Sequence, residues 1–477
     1  MPESFVPSKA PEHRAWSRTL ADEVIRSALP GGAEVPRVRR EELLRGVPSD
    51  EPAVFAARLM VAVRGDSEEA VERMLGAGRG PYRGAPSGAT MALDAAVAEA
   101  RILLGDAAGA LGHANELRER ALYTGDALWN ARSAGLLAAA SALNGMIGRA
   151  EAALIAGEAV SRRSGWQAED ADPFGLLAET VIGIVTSDKE RLARTIARID
   201  DATTRRPSLR ALRDLARAVH LLDTGEDHRA MALTVRISQA LSASGVPRIA
   251  RQAAVQMQAQ IFLRRGEPLT ALRALDGIDL TPGHLPCAST TRALALLQLG
   301  DHRRVLAETR DCVRRRRTHN LLVLPTTLLV RAVAQLRLGR HEAALHSAGD
   351  AFGLAAASTR AGRLALIPRG DLADLLDLVT ESAPEFGTEV AELRRLAGPV
   401  PATEVSSAPR LFGQLSARER AVADHLDDAQ PLAGIAGALN LSIHTVKTHT
   451  KAIYRKLGVA SREEAIDLLA RIGYFES

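Results

Sequence analysis

Between residues 51 and 397, apolar residues recur at helical spacing in runs that stop in one way. An apolar residue is followed by glycine, then polar residues, then alanine five positions after the glycine. The pattern reads VAVRGDSEEAV at Gly65 and Ala70, RILLGDAAGAL at Gly105 and Ala110, GMIGRAEAAL at Gly148 and Ala153, and LLDTGEDHRAM at Gly225 and Ala230. It continues as FLRRGEPLTAL at Gly266 and Ala271, LQLGDHRRVL at Gly300 and Val305, and LRLGRHEAAL at Gly339 and Ala344, with a weaker copy, IVTSDKERLA, at Ser187. Neighbouring anchors lie 34 to 43 residues apart. Glycine suits a tight turn after one helix and alanine lets the next helix pack closely, so each unit is predicted to be a helical hairpin.

This repeat resembles the tetratricopeptide family, whose unit is about 34 residues long with small residues near the turn. Here the spacing is longer and the family's Trp and Tyr positions are mostly vacant. The expectation is a TPR-like α-solenoid over 51–397, preceded by an N-terminal helical cap over 1–50. Such an array has a concave surface suited to a small ligand, a peptide or a protein, and the sequence does not say which.

The organisation changes at 398–414, GPVPATEVSSAPRLFGQ, where three prolines and two glycines predict an extended linker. A second domain is expected over 415–477. Ser416 with Glu419 and Ser461 with Glu464 both have capping-box spacing, which marks two helix starts. Between them a short helix is predicted over 431–439, presenting Ile435, Ala436 and Leu439. A turn at Asn440–Ser442 follows, then a helix capped by Ser442 that ends before Gly458. At 100° per residue, Thr450, Ile453, Leu457 and Ile443 fall within roughly 60° of Val446 and form its buried stripe. His444, Thr448, Lys451 and Arg455 lie on the opposite side, with Lys447 on the shoulder.

Composition sharpens this picture. Arginine outnumbers lysine 56 to 5, yet three of the five lysines, Lys447, Lys451 and Lys456, stand within ten residues. The stretch Asn440 to Arg462 holds five Lys or Arg and no Asp or Glu, although the net charge of the whole chain is only +4. Long donors on a helix can reach base edges in the major groove, and cations neutralise phosphates. A short helix, a tight turn and a donor-lined second helix point to helix-turn-helix.

LSARERAV, IAGALNLSIHTVKTHTKAIYRKLGV and SREEAI closely resemble the C-terminal domain of LuxR-type transcription regulators. The resemblance covers about 60 of the 477 residues. It implies an all-α fold, double-stranded DNA as partner, base contacts from Lys447, Thr448 and Lys451, and backbone contacts from Ser442, Thr445 and Arg462. His444 and Arg455, on the same strip, complete the candidate set. It further implies a homodimer through the last helix, around Ile466 to Ile472, and a contact with RNA polymerase. One departure stands out: AQPLAGIA places Pro431, Ala433 and Gly434 where the family's second helix begins with polar residues. This keeps open a scaffold whose C-terminal domain dimerises without binding DNA.

The remaining residues exclude more than they suggest. Outside the third helix only Lys9 and Lys189 exist, preceded by PS and SD, so no G-x-x-x-x-G-K-[ST] phosphate loop is present. HEAALH at His341 to His346 spaces its histidines five apart, about 140° around a helix and too divergent for one metal. The glycine-rich stretch 78–88 reads as a loop, and the arginines of 303–317 as a solvated helix end. No catalytic constellation, metal site or cofactor is expected, so the chain is read as a regulator and not an enzyme. Two cysteines, no signal peptide and no membrane-spanning run lead to the expectation of a cytoplasmic protein.

Overall fold

The structure is a computed structural model that describes residues 10–471 apart from 31, 46–50, 65–67, 77–85, 168–169, 241–245, 279–285, 317–318, 356–363, 398–416, 428–430, 458 and 460. The regular structure of the described residues is entirely helical. Helices α1 (Ala10–Ala28) and α2 (Arg37–Arg45) precede the hairpins α3 (Pro52–Arg64) with α4 (Glu68–Gly76), α5 (Gly88–Leu103) with α6 (Ala107–Thr124), and α7 (Ala127–Leu143) with α8 (Ile147–Ser164). There follow α9 (Pro173–Val185) with α10 (Lys189–Thr203), α11 (Arg210–Asp223) with α12 (Asp227–Ser238), and α13 (Arg248–Arg264) with α14 (Pro268–Ala274). Next come α15 (Ala288–Gln298), α16 (His302–Glu308), α17 (Arg310–Arg314), α18 (Leu324–Arg337) and α19 (His341–Ala355). Helices Arg369–Ser382 and Gly387–Ala397 end this region.

The hairpins stack in chain order. The first helix of each packs on the first helix of the next, α3 on α5, α5 on α7, α7 on α9 and onward to α15 on α18. A second helix such as α6 is held between its own partner and the following hairpin. The N-terminal region joins this packing, because α1 lies against α3.

Among the described residues, one turn geometry closes seven of the hairpins. Gly105, Gly145, Gly225, Gly266, Gly300 and Gly339 have φ between 70° and 82°, and Ser187 takes the same left-handed region at 55°. In each, the next residue's amide donates to the carbonyl five positions earlier, from Asp106 to Arg101 and from Arg340 to Gln335, at 2.8 to 3.0 Å. This double closure satisfies carbonyls that the helix end would orphan. A side chain in this backbone region costs about 1–2 kcal/mol, which accounts for glycine at six of the seven positions.

Five residues after each turn the side chain is buried: Ala110, Ala150, Leu192, Ala230, Ala271, Val305 and Ala344. The repeat therefore has a register, and the expected anchor at Gly148 needs correction. The turn is made by Gly145, and Gly148 lies inside the first turn of α8. The sequence offered two glycines three residues apart. Asn144 caps α7, so the glycine directly after it takes the left-handed position.

Contacts across the array also form between distant hairpins. The Arg206 guanidinium donates to the carbonyls of Leu29 and Gly32, and the Asn320 side chain donates to the Leu143 carbonyl. Residues 398–416, which include the expected linker and Ser416, lie outside the described residues, as do 78–85 of the glycine-rich stretch.

Candidate nucleic-acid interface

The C-terminal unit is built from helices Ala417–Ala423, Leu432–Ala438, Ile443–Leu457 and Arg462–Arg471. Its core is Val422, Ala423, Leu426, Ile435, Ala436, Val446, Ile453, Leu457, Ala465 and Leu469. The turn between the second and third helices repeats the closure seen in the array: Asn440 has φ 52° and the Leu441 amide donates to the Ala436 carbonyl at 2.9 Å. Asparagine tolerates this region better than other non-glycine residues. The turn fixes the angle at which the third helix leaves the second.

Ser442 caps the third helix as expected, its Oγ accepting from the Thr445 amide at 3.0 Å, while the two hydroxyls sit 2.7 Å apart. Val446, Thr450, Ile453 and Leu457 are buried, and the Thr450 hydroxyl donates to the Val446 carbonyl at 2.8 Å, so no polar group is left unsatisfied within that stripe. Ile443 departs from the expectation, at 48% exposed. It stands at the edge of the stripe and at the first helical position, where a side chain tilted towards the N-terminus extends past the core.

The opposite face is open. His444, Lys447, Thr448, Lys451 and Arg455 are all exposed, and among the described residues Lys447, Lys451 and Arg455 have no acidic partner. The repeats treat their cations differently, pairing arginine with carboxylate as in Arg64–Glu99, Arg191–Glu151 and Arg337–Asp371. Arginine's planar fork suits two-point pairing with a carboxylate, whereas lysine is a flexible point charge. The Thr448 hydroxyl donates to the His444 carbonyl at 3.0 Å, so its proton is already used within the helix.

Arg462 sits differently from the other site residues. It is half-buried, and its Nε donates to the Leu426 carbonyl at 3.0 Å, tying the start of the last helix to the turn after the first. Nearby, burial raises the Tyr454 phenol pKa, with Arg462 acting in the opposite sense. Ser461 caps the last helix through the Glu464 amide at 3.1 Å. Residues 472–477 and several side chains of that helix lie outside the described residues, and with them most of the expected dimer surface.

Two features elsewhere were not expected from the sequence. Cys287 and Cys312, 25 residues apart, are both buried with their sulfurs 3.8 Å apart, and His319 joins them with ligand atoms all within 4.8 Å. The Cys287 thiol and burial together push the Cys312 thiol well above its ordinary pKa, so Cys312 is held as a thiol. No spacing rule would have found this group, because the fold alone brings it together. The second is a buried ion network around Arg132. By contrast, His341 and His346 of α19 are both exposed, and the exposed Arg314 and Arg316 pair with Asp311 and Asp350. No described helix is long and apolar enough to cross a membrane.

Residues 413–469 match the family described as bacterial regulatory proteins, luxR family. Among curated proteins, the probable transcriptional regulatory protein NarL from two strains of Mycobacterium tuberculosis is 35% identical over 96 residues, which is 20% of this chain. The chain spans 38% of the length of these relatives. With the turn, the cap, the buried stripe and the open basic face in place, residues 413–469 belong to the luxR family of bacterial regulatory proteins.

Proposed function

We propose that the chain is a sequence-specific transcription regulator that binds double-stranded DNA through the helix Ile443–Leu457 and senses a ligand or protein through its helical repeats. The carrying observation is the exposed row Lys447, Lys451 and Arg455, unpaired with any described carboxylate, on the second helix of a luxR-family helix-turn-helix. Lys447, Lys451 and the Thr448 methyl are the base-reading groups, and Ser442, His444, Thr445 and Arg455 contact the backbone. Arg462 stays in that set as the expected backbone contact, its Nε also serving the Leu426 carbonyl. The protein acts in the cytoplasm as a homodimer through its last helix, activates transcription and touches RNA polymerase.

Leu269 and Leu299 of the repeats share an apolar cluster with the core of the C-terminal unit, and half-buried Leu272 packs against it. The basic face stays open beside that contact. This favours control through the arrangement of the two domains of a dimer over direct covering of the recognition helix. A ligand then acts by preferring one arrangement.

The test is a genome-wide pull-down of DNA with the full-length protein and with Lys447→Ala/Lys451→Ala. Discrete peaks sharing an inverted repeat, lost in the double variant, are expected. Peaks unchanged in the double variant would reject the recognition face. Absence of salt-sensitive DNA binding at any site would favour the scaffold reading, to which the apolar entry Pro431–Gly434 of the second helix lends itself.

A further inference from the structure

A cavity of about 290 Å³ lies where the first helices of several hairpins meet the N-terminal region. Its walls are apolar, formed by residues such as Ile102, Phe174, Leu177, Leu212, Leu215 and Ile249. Its lining is also charged. Arg40, Arg64, Arg132 and Arg206 face it together with Glu34 and Glu99.

These charges do not cancel. Glu99 accepts from Arg64 at 2.6 and 3.0 Å and from Arg132 at 2.6 Å, and Arg132 also reaches Asp172 at 3.0 Å while stacking over the Phe174 ring at 4.8 Å. Arg40 pairs with Glu34 at 3.4 Å. Arg206 is the cation left over, buried and bonded to the two backbone carbonyls of Leu29 and Gly32. Burial lowers its pKa to about 10, and although Asp172 counteracts this, Arg132 and Arg64 add to it. Arg206 therefore remains charged at neutral pH, and the site carries one more cation than anions, counting Asp172. The Nε of Arg132 is also buried without a hydrogen-bond partner. Arg64 is surrounded by protein, yet 27% of its side-chain surface is accessible, and it lines the cavity.

A buried excess charge is costly unless a counter-charge arrives. We infer that this cavity binds a small amphipathic monoanion, with its carboxylate in the Arg206–Arg132–Arg64 corner and an apolar body against the leucine, isoleucine and phenylalanine walls. The size stands at the lower end of small-molecule sites. Because Arg206 joins the connection between α10 and α11 to the residues that follow α1, the ligand fastens distant parts of the array, which is a means of setting its shape. That regulatory consequence rests on the sensing role proposed above; the binding itself does not.

Calorimetry on the full-length protein, without DNA, separates this inference from the DNA-binding proposal. Octanoate is expected to bind saturably, octan-1-ol about tenfold or more weakly for want of the charge-assisted contact, and acetate not detectably. Arg206→Met should bring octanoate down to the level of octan-1-ol. Ala253→Trp, which fills the cavity from its wall and leaves the arginines in place, should abolish both with the melting temperature unchanged. Octanoate binding no tighter than octan-1-ol, binding that survives Ala253→Trp, or no saturable octanoate binding would each overturn the inference. If either variant fails to fold, the wild-type comparison of the three compounds decides alone.

Discussion

Replacing Arg132 by methionine tests the buried ion network where it is most concentrated. Arg132 is 1% exposed and bridges two acids, Glu99 at 2.6 Å and Asp172 at 3.0 Å. Methionine fills much of the space, so lost packing is a minor part of the effect. The larger part is the carboxylates left behind. Glu99 would keep Arg64, but Asp172 would keep only the Phe174 and Gly175 amides that it caps at 2.9 and 3.2 Å. Removing one partner of a buried pair costs about 3–5 kcal/mol, and the cap bonds keep the loss towards the lower figure. Because stacked helical arrays need not unfold in two states, a local reporter is required. Trp129, buried on the same helix as Arg132, supplies one once Trp16 and Trp166 are changed to phenylalanine. The acid limb gives a second readout. Burial alone would raise the Glu99 pKa, but Arg64 and Arg132 outweigh it and hold the group below its ordinary 4.5. A depressed pKa contributes stability that is present above the unfolded value and lost as pH falls through the folded one. Arg132→Met lifts the folded value, so acid unfolding should begin at higher pH. A loss under about 1 kcal/mol, with the acid midpoint unmoved, would refute the assignment of this network as a stabilising element.

Three further outcomes are expected. Gly339→Ala should lower stability by about 1–2 kcal/mol, while Ser187→Gly, at the same turn conformation, should be neutral or stabilising; a thermal melt that ranks them the other way would refute the shared turn geometry. Thr448→Val should preserve DNA sequence preference, because the hydroxyl is turned to the His444 carbonyl and the methyl is kept, whereas Thr448→Ser should relax a thymine preference in a binding-site selection. Cys287 and Cys312 should stay unreactive to a thiol reagent at pH 8 until denaturant is added, and stoichiometric reaction of the native protein would contradict their burial and the raised Cys312 pKa.

How far each conclusion was legible in the sequence depends on the range of the interactions behind it. The helix-turn-helix was visible because its determinants are local: the Ser442 cap, the Val446–Thr450–Ile453–Leu457 stripe and the donors opposite all lie within one helix, whose 3.6-residue period fixes their directions. Ile443, at the end of that same helix, is exposed despite its place on the stripe, since angular position does not say how far the packing partner extends. The hairpin repeat was legible for the same local reason, through glycine at a left-handed turn and a small residue five positions on. Where two glycines competed, at 145 and 148, only the folded chain chose. The tertiary structure alone decided what depends on contacts distant in sequence. Arg206 meets Leu29 across 177 residues, Arg132 gathers Glu99 and Asp172 from two other hairpins, and Cys287 finds Cys312. Such encounters leave no periodic trace, because stacking order and curvature, and not spacing along the chain, determine which side chains share a cavity.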